Sequence, residues 1–167
     1  MNARSVRIEP MTLDHVAGYR RVLDIVARER KYLTMLEARP EPDTVRFVKS
    51  NLENGNPMMV ALAGGAVIGW CDIRRESFPS RAHRGTLGMG LLPEWRGRGV
   101  GRRLLEATLA QARRSGFKRI ELDVYADNSR AIALYEKAGF AREGIVRDAS
   151  LIDSVFRDAI LMAIVER

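Results

Sequence analysis

The segment Trp95-Arg96-Gly97-Arg98-Gly99-Val100-Gly101 carries glycine at every second position and leads straight into an amphipathic run. Alternate glycines let a backbone approach a ligand closely and turn its N–H groups inward. The helix predicted after them adds the partial positive charge of its N-terminus, so the turn suits a phosphate or pyrophosphate. Arg96, Arg98, Arg102 and Arg103 place full positive charges around it. Spacing excludes two nucleotide patterns. A P-loop needs Lys and then Ser or Thr after its last glycine, where Arg102-Arg103 stand instead. A dinucleotide fingerprint needs Gly-x-Gly-x-x-Gly, and glycines at 97, 99 and 101 miss its third position.

The elements that must hold this turn can be read from period and punctuation. Thr86 to about Leu92 reads as the strand before it, ended by Pro93, and Gly99 to Ser115 as the helix after it, with Leu104, Leu105, Leu109 and Ala112 on one face and Gly116 as its stop. Upstream, Val6 to Ile8 is a short strand ended by Pro10. A helix begins near Leu13 under a Thr12 cap, with Val16, Tyr19, Leu23 and Val26 at helical spacing. The two prolines of Arg39 to Pro42 predict a loop, and a second helix capped by Asp43 or Thr44 runs to Gly55, with Val45, Val48 and Leu52 facing one way. Met58 to Ala63 and Ala66 to Ile73 flank Gly64-Gly65, the signature of a two-residue hairpin, and a basic loop runs from Arg74 to Gly85. Downstream, Ile120, Leu122 and Val124 alternate with Glu121, Asp123 and Tyr125 as in a strand. A helix capped by Asp127 or Asn128 follows to Lys137, closed by Gly139, and Phe140 to Val146 and Phe156 to Val165 read as strands. The order β-α-α-β-β-β-α-β-α-β-β predicts a mixed α/β layer fold.

Composition narrows the function classes. The chain has 167 residues, 46% apolar and 29% charged, which suits one globular domain over 1–167 and argues against disorder. The longest apolar run, Met58 to Ala63, is far short of the roughly 20 residues that span a bilayer. No apolar signal segment lies in Met1 to Glu9, so the expected location is the cytoplasm, with no membrane partner. A single cysteine, Cys71, and two scattered histidines, His15 and His83, offer neither a disulfide nor a zinc site, so no metal is expected. The formal net charge of +7 favours polyanionic partners. No interleaved aromatic platform supports a nucleic-acid partner.

The combination Arg96-x-x-Gly99-x-Gly101 resembles the acyl-CoA pyrophosphate loop of the GNAT superfamily of N-acetyltransferases. The resemblance continues through Asn128-Ser129-Arg130-Ala131-Ile132-Ala133-Leu134-Tyr135-Glu136-Lys137-Ala138-Gly139-Phe140, which is similar to the family's Asn-x-x-Ala-x-x-x-Tyr-x-x-x-Gly-Phe block. It covers roughly Met58 to Val165, the N-terminal helices matching by position only. The resemblance implies a single α/β (α+β) domain with a central splayed strand pair and flanking helices. It implies acetyl-CoA as acyl donor, its pantetheine arm along the backbone of Met89, Gly90 and Leu91 and its pyrophosphate on Gly97, Arg98, Gly99, Val100, Gly101 and Arg102, with Arg96 opening the motif. Asn128 corresponds to a cofactor-contacting asparagine and reads equally as a helix cap. Tyr135 corresponds to the family's general acid and reads also as a core aromatic. Asp123 stands where the ribosomal-protein N-terminal acetyltransferases that this segment resembles place a glutamate, which makes it the first candidate for the general base, and it reads also as a solvent-facing strand carboxylate. Glu29, Glu37 and Asp72 are further carboxylate candidates from segments that line the acceptor side in the family. A homodimer through terminal strands or helices is a further implication.

The chemistry that follows is transfer of an acetyl group to a primary amine by direct attack on the thioester. A phenol near ~10 is a weaker acid than a thiol near ~8.5, so Tyr135 is expected to donate a hydrogen bond to the departing sulfur without losing its proton. A backbone N–H, that of Leu91, would stabilise the oxyanion. The expected acceptor is a small amine or amino-acid-like metabolite. The alternatives are a protein N-terminus or lysine, or a non-catalytic acyl-CoA sensor.

Overall fold

The computed structural model describes residues 2–167 and holds one seven-stranded sheet of order β1-β2-β3-β4-β5-β7-β6. Its strands are β1 (Arg7–Pro10), β2 (Met58–Ala63), β3 (Ala66–Arg75), β4 (Arg84–Leu91), β5 (Arg119–Tyr125), β6 (Ala141–Ile152) and β7 (Val155–Val165). Four α-helices accompany them: α1 (Val16–Arg28), α2 (Glu41–Glu53), α3 (Val100–Arg114) and α4 (Ser129–Lys137). The element order is the one expected from the sequence, with short 3-10 turns added. Strand neighbours β3 and β4 point successive side chains to opposite faces. Trp70 meets Tyr19 of α1 edge-on at 5.6 Å between ring centroids, and the next residue, Cys71, bonds to Thr108 of α3. Helix α1 therefore covers one face and α3 the other; α4 lies beside α3, Leu134 reaching Gly101.

Local chemistry explains most boundaries. Gly64 and Gly65 both have positive φ (55° and 83°), as the tight β2–β3 hairpin requires. Asn128 caps α4 by accepting a hydrogen bond from the Ala131 N–H at 3.3 Å. The second helix corrects the sequence reading: it begins at Glu41, with Pro40 as N-cap and Pro42 inside the first turn. A helix needs no N–H donor there, so proline starts this helix instead of breaking it. Val48 is buried in the core while Val45 is exposed. Pro10 is the last residue of β1 and so does not stop it early. The β3–β4 loop is shorter than expected, and β6 runs six residues past Val146 to Ile152.

The feature that builds a site is the pairing of β4 with β5, the sheet's parallel contact. It holds only at Arg84↔Arg119, Gly85↔Ile120 and Thr86↔Glu121. Beyond these pairs β4 continues beside β3 to Leu91 and β5 beside β7 to Tyr125, so the two strands part in a V. A charge network holds its vertex. Arg84 reaches Glu121 at 2.8 Å, Arg119 reaches Glu121 at 2.8 Å, and Arg119 reaches Glu143 at 2.5 Å. Burial pushes the Glu121 carboxyl up, but the hydrogen bonds from Arg119 and Arg84 outweigh it and hold it below its usual range.

Candidate active site

The V leaves backbone groups of β4 without a strand partner. Leu92 donates its N–H to Ile68 at 2.9 Å, which makes Ile68–Leu92 a hydrogen-bonded pair of the antiparallel ladder. Bonded pairs alternate along such a ladder, so Gly90 bonds to Trp70, while Met89 and Leu91 turn their N–H and C=O away from β3, toward the opening. The Gly90 backbone thus serves the sheet. Its missing side chain serves Trp70, because a Cβ there would stand 2.3 Å from the indole ring.

The glycine turn stands at the same open end. Gly97 and Gly99 take positive φ, 70° and 81°. Among the described residues, the backbone N–H groups of Gly97, Gly99, Val100, Gly101 and Arg102 make no hydrogen bond of normal geometry, and the first helical bond is Arg103 N–H to Gly99. Unsatisfied donors at the start of a fifteen-residue helix form a seat for an anion. The residues present fit a pyrophosphate.

The arginines of this segment have destinations that the sequence did not reveal. Arg96 grips Glu29 with two hydrogen bonds, at 2.9 and 2.5 Å, and donates Nε–H to the Leu91 carbonyl at 2.9 Å. Its guanidinium also lies over the Tyr32 ring, 4.8 Å from the centroid. Arg98 donates to the Glu94 carbonyl, Arg102 pairs with Glu106, and Arg103 ties down the N-terminal segment through Ala3 and Val6. Arg130, which sequence reasoning passed over, also lies against the turn, its guanidinium 3.9 Å from where a Cβ of Gly97 would be. Its place in the first turn of α4, two residues after the Asn128 cap, was the available signal.

Tyr135 and Asp123 lie on opposite sides of the sheet. Tyr135 is buried on the α3–α4 side beside Cys71, whose Cα pairs with Met89, and its ring packs 5.7 Å from Phe140. Burial raises its phenol above the ordinary value, with the Cys71 thiol adding to the effect. Asp123 faces a cavity of about 170 Å³ lined by Tyr32, Thr34, Tyr125, Ser150 and Ala159 among others. Asp123 is an exposed residue, and the partial burial of its carboxylate, helped by the nearby Glu121 charge, raises its pKa. The cavity exists because β6 bulges. Val146 pairs with Ala159 and Ser150 with Arg157, so 147–149 face Asp158 alone, and Asp148 (φ 50°) donates its N–H to the Asp158 carboxylate at 2.9 Å. Tyr125 fixes one wall by donating its hydroxyl to Ser150 at 2.9 Å.

The other carboxylate candidates separate cleanly. Glu29 is engaged by Arg96, and the exposed Glu37 bridges to Arg28 at 3.2 Å. Asp72 is buried on the α1 face opposite Gly88, accepts a hydrogen bond from the Trp70 indole, and is pushed up to about 6 by burial, which outweighs the attraction of Arg74. Cys71 is a fully buried thiol, raised by burial. Among the described residues no His, Cys, Asp and Glu cluster could hold a metal, and no helix is long and apolar enough to cross a membrane.

Comparison with known proteins agrees with this fold. The family model for the acetyltransferase (GNAT) family matches residues 21–140. The L-amino acid N-acetyltransferase AaaT of Escherichia coli is 29% identical over 147 residues, 87% of this chain and 90% of that protein. The N-alpha-acetyltransferase RimI of Mycobacterium tuberculosis is 38% identical over 96 residues, 55% of this chain and 56% of that one. A GNAT superfamily phosphinothricin acetyltransferase from Sinorhizobium meliloti, solved with AcCoA, superposes with a TM-score of 0.91 at 19% identity over 97% of this chain and 89% of that one. With a splayed strand pair, an anion-ready glycine turn and a family match across most of its length, the chain belongs to the GNAT family of N-acetyltransferases.

Proposed function

We propose that the protein transfers the acetyl group of acetyl-CoA to the primary amine of a small, amino-acid-like metabolite. The observation that carries this reading is the cavity at Asp123. Its volume of about 170 Å³ is on the scale of a small metabolite. Its charge is the Asp123 carboxylate, suited to an ammonium; the rings of Tyr32 and Tyr125 already carry the guanidiniums of Arg96 and Arg157. The amino-acid acetyltransferase of Escherichia coli, related over most of the chain, supports the same acceptor class. Support for the donor comes from the free N–H groups of the turn and from the AcCoA held by the Sinorhizobium enzyme of the same fold.

Acetyl-CoA supplies the acyl thioester; the chain supplies position and proton control. Gly97 to Arg102 would hold the pyrophosphate and the outward-facing Met89 backbone the pantetheine arm, leaving the N–H of Leu91, whose carbonyl is taken by Arg96, for the acyl oxygen. An α-amine of pKa about 8 must lose a proton before it attacks, and Asp123 accepts or relays that proton from the cavity side. Tyr135, on the far side of the V, donates a hydrogen bond to the sulfur and keeps its proton, as its raised pKa requires. Donor and acceptor therefore enter from opposite faces and meet where the sheet is open.

The test is thiol release from acetyl-CoA with a panel of free L-amino acids, simple amines and an N-terminal peptide. Turnover concentrated in the free amino acids, falling about a hundredfold in Asp123→Asn, is the expected result. Preference for the peptide would overturn the acceptor class, and acetyl-CoA binding without turnover of any amine would point to a sensor.

A further inference from the structure

The segment 29–40 joins α1 to α2 without regular structure and supplies Tyr32 and Thr34 to the amine cavity. Several bonds moor it. Arg30 pairs with Asp153 at the β6–β7 turn at 2.8 Å, Arg157 of β7 donates to the Lys31 carbonyl at 2.9 Å, Asp24 accepts the Ala38 N–H at 2.9 Å, and Arg20 donates to the Arg39 carbonyl at 2.8 Å. None of these reaches the glycine turn. The bond that does is the Glu29–Arg96 pair, two-pronged and largely buried, with side-chain exposures of 22% and 18%. Arg96 precedes Gly97, holds the carbonyl of Leu91 at the end of β4, and covers the ring of Tyr32. One guanidinium thus touches the anion seat's entry, the strand end facing the V, and a wall of the amine cavity.

We propose that Glu29 is a positioning residue that, through Arg96, couples occupation of the glycine turn by CoA to the shape of the amine cavity. The inference rests on the acetyl-CoA reading of the turn and is independent of the acceptor's identity. An anion on Gly97 to Arg102 orders the backbone immediately after Arg96. Its guanidinium fork fits a carboxylate in one planar geometry, so fixing Arg96 fixes Glu29 and, with it, the start of the segment that carries Tyr32 and Thr34. The coupling is reciprocal: a cavity segment already in place favours the turn's bound form by the same factor.

The experiment is amide hydrogen exchange of 31–36 with and without free CoA, alongside CoA affinity by calorimetry, in the parent, Glu29→Gln and Asp153→Asn. In the parent, saturating CoA should slow exchange in this segment by about fivefold or more, the lower end of ordinary coupling. Glu29→Gln keeps the size but removes the charge, and should lose that CoA-dependent slowing while CoA affinity weakens by no more than the same factor. Asp153→Asn releases a mooring that does not reach the turn; it should speed exchange with and without CoA alike and keep the CoA-dependent slowing. Binding of CoA to the parent with no effect on 31–36, or slowing that survives in Glu29→Gln, would overturn the coupling. Failure of the parent to bind CoA would overturn the acetyl-CoA reading itself, and calorimetry alone reports that.

Discussion

Asp72 is a buried carboxylate whose electrostatic cost can be measured directly. Its pKa stands at about 6 against an ordinary 3.8, with burial as the leading cause. Between those values the native state binds a proton that the unfolded chain has released, so stability falls as pH rises through this window and the full cost is present above it. The separation converts to about 3 kcal/mol at 1.36 kcal/mol per unit. Asp72→Asn removes the charge and keeps an oxygen for the Trp70 indole. The raised value is already net of the attraction of Arg74, 3.7 Å away on a half-exposed side chain. The variant should therefore be more stable than the parent by about 3 kcal/mol at pH 7.5 and nearly equal to it at pH 4. Urea unfolding of both proteins at four pH values gives the difference in stability, and taking the difference cancels the other titrating groups. A difference that does not grow between pH 4 and pH 7, or a variant less stable than the parent at pH 7.5, would refute the argument that the burial cost of this charge exceeds what its partners return.

Three other substitutions probe the site. Tyr135→Phe should lower turnover by about 10²–10⁴ while acetyl-CoA affinity and unfolding midpoint hold, since the hydroxyl has no hydrogen-bond partner among the described residues; unchanged turnover would reduce Tyr135 to a packing residue. Gly99→Ala forces a Cβ onto a φ of 81° with no protein atom within 4 Å. It should cost about 1–2 kcal/mol of stability and weaken acetyl-CoA binding about tenfold by calorimetry, and normal affinity would count against the turn as the anion seat. Gly90→Ala drives a methyl to 2.3 Å from the Trp70 ring, so denaturant titration should show a loss of about 1–3 kcal/mol; a neutral result would mean that the Trp70–Tyr19 packing yields freely.

Where backbone chemistry decides structure, the sequence was legible. Paired glycines at 64–65 can adopt the positive φ of a hairpin, alternating glycines at 97–101 can line an anion seat, and Asn128 can cap a helix; each follows from local sterics and hydrogen bonding. Prolines misled at α2 because proline opposes a helix interior yet suits a helix start, and only the position of the first turn separates the two. The β6 bulge was hidden because Arg147-Asp148-Ala149 contains no glycine to announce the positive φ at Asp148, which an Asp158 hydrogen bond holds in place. Side-chain destinations were the least legible of all. Arg96 stands beside the glycine turn in sequence, and its natural reading is a phosphate ligand, but its partner Glu29 lies 67 positions away in an aperiodic segment. A charged side chain goes to the best-matched partner within reach, and reach is a property of the assembled fold. The same holds for Asp123. Strand alternation gives its face, while the cavity that turns a surface carboxylate into a candidate base is built by Tyr32, by Tyr125 and by a bulge in the sheet's outermost strand. The acyl-donor half of the proposed site is thus written in contiguous motifs, because it is made of backbone, and the proposed acceptor half is not, because it is made of side chains converging from four separate segments.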